Sequence, residues 1–324
     1  MGRKIGIYTD GHRRADLVPL DQWLWTVGDN QYRQYSTAAA RQDAAEVTFG
    51  AEPVELILDL GDMVDLHQNN GLTNAERATA GDTAMTAAIA SYDALNIPFA
   101  TTYGNHEWLL YDDDTGDLNN RADYWTIVEA ATNVITKENE YNPPDGYGTV
   151  AYTFDMLGMR FVCMLSHDRT AMDAGALTWL TGTALDTTLP CVVFFHVAPV
   201  KVPNTYGYFV AADMATLQTA LANAGNVQCV LNGHYHRQGI DTIHDEGSTF
   251  YQKIGDIPYY SFAGAALGAN FGDDSTTATA ADSAYYVVDI DPNAVYGASQ
   301  WTANIEVTGY ARGLSKKKTQ YCIY

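Results

Sequence analysis

Glu55-Leu56-Ile57-Leu58-Asp59-Leu60-Gly61-Asp62 decides the fold, because a short apolar run breaks off into a glycine and an aspartate. Runs of this length bounded by turn formers read as strands buried on both faces. Residues 4–9 and 97–102 repeat the form. Between the three strands, residues 35–49 and 74–95 are Ala-rich and read as helices. Strand, helix, strand, helix, strand in that order is the signature of a parallel sheet built from right-handed crossovers.

The pattern extends outward from there. Residues 149–156 and 160–166, split by Leu157-Gly158-Met159, read as a hairpin, and 173–185 as a helix. Residues 191–195 and 227–232 are two more buried strands around a helix at 211–224. From residue 247 to 310 the texture is β-rich, with segments at 259–263, 284–289 and 301–308 that are expected to complete a second, mostly antiparallel sheet. No linker rich in Pro, Gly or Ser divides the chain, so residues 1–324 are expected to form a single domain.

Composition narrows the class. With 47% apolar and only 18% charged residues, the chain is neither disordered nor a coiled coil. Its 324 residues suffice to bury a core without staples. Eighteen basic against 39 acidic side chains give −21, a surface that repels the phosphate backbone, so a nucleic-acid partner is not expected. The basic run 316–318 reads as a solvated tail. Four cysteines are too few for a disulfide scaffold, and Cys163, Cys191 and Cys229 sit inside apolar runs as reduced core thiols. The first apolar stretch, 5–8, is far shorter than a signal-peptide core, and no segment approaches the ~20 apolar residues of a membrane span. A cytoplasmic chain with no membrane partner is the expectation, with secreted, periplasmic or virion-associated locations left open. Oligomeric state is not fixed by the sequence.

Chemistry concentrates where the strands end. Asp10-Gly11-His12, Gly61-Asp62, Gly104-Asn105-His106-Glu107, His196 and Gly233-His234-Tyr235-His236 each follow a predicted strand. Residues just beyond the carboxyl ends of parallel strands share one crevice, whatever their separation along the chain. Asp10 and His12 are two apart, so on an extended segment they face the same side, and His234 and His236 repeat that spacing. Gly11, Gly61, Gly104 and Gly233 let backbone crowd close to such a site. A mixture of carboxylate, amide oxygen and imidazole suits Mn, Fe or Zn, and there are more ligands than one ion needs. If Asp62 bridges two ions, the centre becomes the two-metal clamp that activates water for in-line displacement at phosphorus.

These five clusters, in this order, resemble the calcineurin-like metallophosphoesterase family, whose motifs run D-x-H, G-D, G-N-H-D/E, H and G-H-x-H. The resemblance spans residues 10–236 and implies a four-layer α/β/β/α sandwich, two central mixed β-sheets flanked by helices. It implies two divalent ions, one held by Asp10, His12, Asp62 and His236 and the other by Asp62, Asn105, His196 and His234, with a bridging hydroxide as the attacking group. His106 then sits beside the metals, where it is expected to protonate the leaving oxygen or stabilise charge in the transition state. In some members the second aspartate of G-D-x-x-D orients that histidine, and Asp65 stands there; Leu66-His67 follow where phosphoprotein phosphatases have Arg-Gly.

The expected function is metal-dependent phosphoester hydrolysis on a small phosphate-ester substrate, a phosphodiester or a nucleoside diphosphate derivative. Arg13, Arg14, Arg237 and Tyr206 are the candidate substrate contacts, three guanidinium groups and one stacking ring beside the clusters. Tyr32-Arg33-Gln34-Tyr35-Ser36 and Gly233 through Arg237 are similar to the branch containing ADP-ribose and CDP-alcohol diphosphatases, which commonly has glutamine where His12 stands. The alternatives are a phosphomonoesterase of the same fold and a non-catalytic structural or binding module that keeps the metal site. The presence of His106, which a mere scaffold does not need, speaks against the latter.

Overall fold

The computed structural model describes residues 2–9, 25–27, 30–32, 49–64, 74–105, 107, 120–143, 149, 151–164, 174–197, 199–200, 211–234, 251–262, 284–292, 305–311 and 317–321. The first half of the chain supplies β1 (Arg3–Tyr8), a small ribbon of β2 (Trp25–Val27) and β3 (Asn30–Tyr32), β4 (Leu56–Asp59), α1 (Asn74–Ala94), β5 (Phe99–Thr101), α2 (Asn120–Glu129) and β6 (Glu138–Tyr141). The second half supplies β7 (Ala151–Met156), β8 (Met159–Met164), α3 (Ala174–Trp179), β9 (Cys191–Phe195), α4 (Ala211–Ala224) and β10 (Val227–Asn232). It ends with β11 (Tyr251–Ile254), β12 (Ile257–Ser261), β13 (Ala284–Ile290), β14 (Ile305–Ala311) and β15 (Lys317–Tyr321).

Two mixed sheets carry the architecture. One has the order β15-β14-β13-β1-β4-β5 and the other β11-β12-β10-β9-β8-β7-β6. As the strand–helix alternation requires, β1, β4 and β5 are parallel neighbours, with Ile5 opposite Leu56 and Ile57 opposite Phe99. In the other sheet β8, β9, β10 and β12 run parallel, and the β7–β8 hairpin pairs Ala151 with Met164.

The period-two alternation of a strand shows where each sheet packs. In β9, Val192 and Phe194 join a core shared with Ile5, Ile7, Leu56 and Leu58 of the facing sheet, whereas Cys191, Val193 and Phe195 face a second core with Trp179, Leu217 and Leu221. β10 divides the same way, Cys229 and Leu231 inward and Val230 outward. The seven-stranded sheet is therefore covered on both faces, which is why its strands read as unbroken apolar runs. On α1 the residues Ala80, Ala84, Ala88 and Tyr92 recur every fourth position, an apolar stripe buried against the six-stranded sheet. The result is the expected α/β/β/α sandwich, with α1 and α2 on one side and α3 and α4 on the other.

Two expectations need correction. The β-rich C-terminal part does not complete the second sheet as a unit: β11 and β12 do, but β13, β14 and β15 extend the first sheet from β1. The reason lies in β1, whose second edge pairs antiparallel with β13 along Arg3–Ile290 to Ile7–Tyr286 instead of standing open. Lys317 and Lys318 do not lie in a tail; they belong to edge strand β15 and pair with Gly309 and Thr308. The helix expected at 35–49 lies outside the described residues apart from its last residue, Phe49, which is helical.

Cys163, Cys191 and Cys229 are free, buried thiols, and burial pushes Cys163 and Cys191 up to about 12 and Cys229 higher than an ordinary thiol. Thiols so hard to ionise are inert core packing. Among the described residues no helix is long and apolar enough to cross a membrane.

Candidate metal centre

Four strands end at one place. β4 and β5 of one sheet and β9 and β10 of the other deliver Asp62, Asn105, His196 and His234 just past their carboxyl ends. His196 Nε2 is 3.1 Å from Asp62 Oδ2, 3.0 Å from Asn105 Oδ1 and 3.2 Å from His234 Nδ1. The ligand atoms of Asp62, His196 and His234 all lie within 4.8 Å of one another. Two ligands at about 2.1 Å from an ion and at right angles to each other are about 3.0 Å apart, so these spacings fit a single divalent cation.

Hydrogen bonding fixes which atoms face inward. His196 Nδ1 donates to the Leu60 carbonyl at 2.7 Å, which turns Nε2, the nitrogen that carries the lone pair in a neutral imidazole, toward the Asn105 carbonyl oxygen and the Asp62 carboxylate. Lone pairs turned toward one another repel, and a cation between them is the arrangement that reverses the sign. Asp62 is fully buried and His196 is 2% exposed, so neither charge nor imidazole is kept in place by solvent.

The backbone accepts strain to achieve this. Asp62 has φ +53° and His234 φ +72°, a left-handed conformation that L side chains adopt rarely and that persists where surroundings over-determine it. Gly61, at φ +90°, precedes Asp62, and a methyl group there would come within 2.9 Å of Gly104 N and His196 Nδ1. A methyl group on Gly104 would collide with the Asp62 amide and carboxylate. These two glycines let the loops after β4 and β5 touch.

Two buried acids that bind no ion in this arrangement brace those loops. Asp59, inside the apolar run of β4, accepts the Gly61 N–H at 2.9 Å on Oδ1 and the Tyr92 hydroxyl at 2.7 Å on Oδ2. Glu107 accepts the N–H groups of Asp62 and Gly104, each at 2.8 Å, on Oε2 and that of Val64 at 2.9 Å on Oε1. Burial, with the Asp62 carboxylate close by, pushes Glu107 up to about 8. The sequence named Glu107 only as a member of its cluster and missed Asp59; the available signals were an acid directly after Asn105-His106 and an acid inside an apolar strand.

Asp10, His12, Asp65, His106 and His236, with the candidate substrate contacts Arg13, Arg14, Arg237 and Tyr206, lie outside the described residues. β1, which precedes Asp10, ends beside β4, with Tyr8 paired to Asp59.

The two mixed sheets of this sandwich present imidazole, amide and carboxylate donors at the carboxyl ends of their parallel strands. The sequence pattern of the calcineurin-like phosphoesterases matches residues 4–238, and the chain belongs to that family. Among solved structures it is similar to a dimetal phosphatase from Danio rerio, at 13% identity and a TM-score of 0.64, covering 98% of this chain and 99% of that one. At that identity the likeness establishes the fold. It is also similar to a putative 5′-nucleotidase from Staphylococcus aureus (12% identity, TM-score 0.45, 90% of this chain and 51% of that one). A third likeness is to the phosphoesterase Yfce from E. coli (10% identity, TM-score 0.40, 99% of this chain and 100% of that one). No curated protein matches the chain.

Proposed function

We propose that this protein is a metal-dependent phosphoester hydrolase with a dinuclear centre, acting on small phosphodiesters or nucleoside diphosphate derivatives. The observation that carries the proposal is the convergence of Asp62, Asn105, His196 and His234 on one cation-sized space. In this reading those four hold one ion, and Asp10, His12, Asp62 and His236 hold the other, with Mn, Fe or Zn suited to the donors. When bound, such a pair supplies the Lewis acidity that turns a shared water into the attacking hydroxide and steadies the oxygens of the displacement.

The chain's own residues do the rest. His196, its Nδ1 N–H held by the Leu60 carbonyl, presents Nε2 as the ligand atom. His106 protonates the departing oxygen, oriented by Asp65, and Arg13, Arg14, Arg237 and Tyr206 grip the substrate beyond the scissile bond. The charge of −21 supports a small substrate over a nucleic-acid polymer. Leu66-His67 after Asp65, where a phosphoprotein phosphatase has Arg-Gly, points away from protein substrates.

The test is Mn-dependent hydrolysis of an aryl phosphodiester beside the matching monoester, followed by a panel of nucleoside diphosphate compounds, with chelator and Asp62→Asn controls. Diester or diphosphate turnover that disappears in both controls is expected. Turnover indifferent to chelator, or confined to the monoester, contradicts the proposal.

A further inference from the structure

The loops that carry Asp62 and Asn105 are separate in sequence, yet a single side chain ties them. Glu107 is fully buried and takes N–H donors from both: Asp62 and Val64 from the loop after β4, Gly104 from the turn after β5. One of those N–H groups belongs to a candidate ligand in a left-handed conformation, and another to the residue preceding a second candidate ligand. Its own backbone is anchored in turn, because the Tyr103 hydroxyl donates to the Glu107 carbonyl at 3.1 Å. Its two carboxyl oxygens take three converging N–H donors, whereas a carboxamide presents an NH₂ to at least one of them.

From this we infer that Glu107 is a positioning residue that sets the affinity of the ion site formed by Asp62, Asn105, His196 and His234. It holds the backbones of two ligand-bearing loops in register and touches no substrate. Groups that orient metal ligands in this way change metal affinity by about 10- to 100-fold when altered. The inference rests on the dinuclear reading above, in that one ion serves as the internal control for the other.

The experiment is a calorimetric titration of the chelator-stripped full-length protein with Mn, comparing wild type with Glu107→Gln. Two equivalents are expected to bind wild type. In Glu107→Gln the equivalent held by Asn105, His196 and His234 with Asp62 is expected to weaken about 10-fold or more, and the other, which shares only Asp62 with it, to weaken clearly less. At saturating Mn the variant's KM is expected to match wild type, with most of kcat restored. If Glu107→Gln does not fold, Glu107→Asp, one methylene shorter with the carboxyl group kept, takes its place with the same site-selective loss expected. Wild-type affinity for both equivalents overturns the inference, as does equal weakening of both, which marks a general structural defect. Wild-type protein that takes up no Mn overturns the metal reading itself, and the positioning role with it.

Discussion

The bodies and the carboxyl ends of the same strands are built from opposite chemistry. Cys191 through Phe195 in β9 are fully apolar and buried, and the next residue is His196. Leu56, Ile57 and Leu58 in β4 give way to Asp59 and, three residues on, Asp62; β10 gives way to Asn232 and then His234. Among the described residues most of the buried polar ones, Thr9, Asp59, Thr101, His196 and Asn232 included, stand at or just past a strand's carboxyl end. A buried polar group costs free energy unless it is paired, so the two regions divide the work: the bodies stabilise the fold and the ends hold chemistry that only mutual satisfaction or a cation makes tolerable.

That division predicts separable effects. The largest is expected from Phe194→Ala in the shared core, where the ring lies against Tyr152 and Phe154. Denaturant unfolding should show a loss of about 3–5 kcal/mol, while Mn affinity of the folded fraction stays unchanged. At the strand ends the reverse is expected of Asp62→Asn, with Mn uptake lost and turnover reduced by ~10² or more, yet an unfolding midpoint in chelator no lower than wild type. His106→Ala should leave both ions bound and slow turnover by ~10², read as kcat at saturating Mn; full activity in that variant excludes the acid role. The smallest effect is expected from Tyr92→Phe, which deletes only the donor to Asp59 and should cost about 1 kcal/mol with a minor change in metal affinity.

Strand bodies were legible in the sequence for the same reason they are stable. Runs such as 191–195 and 227–232 bury both faces, and that leaves a continuous apolar signal. The edge strands β6, Glu-Asn-Glu-Tyr, and β15, Lys-Lys-Thr-Gln-Tyr, were not legible: an edge strand is polar by need, so its sequence looks like loop or tail. The distribution of β13–β15 was hidden too, because which sheet edge a strand joins depends on long-range pairing and not on its own pattern.

At the site, ligand residue types and their strand-end spacing were visible as motifs. The role of Glu107 was not, since the N–H groups of Asp62 and Val64 that it accepts lie 45 and 43 residues away along the chain. Nor could the sequence announce the left-handed backbone of Asp62 and His234, because neither residue is a glycine.

The most direct test of the central claim is the anomalous scattering of Mn in crystals grown at a concentration that saturates turnover. A peak within about 2.0–2.3 Å of Asp62 Oδ2, Asn105 Oδ1, His196 Nε2 and His234 Nδ1 is the predicted result. An empty space between those four atoms, in protein that is turning over phosphoester under the same conditions, would contradict it.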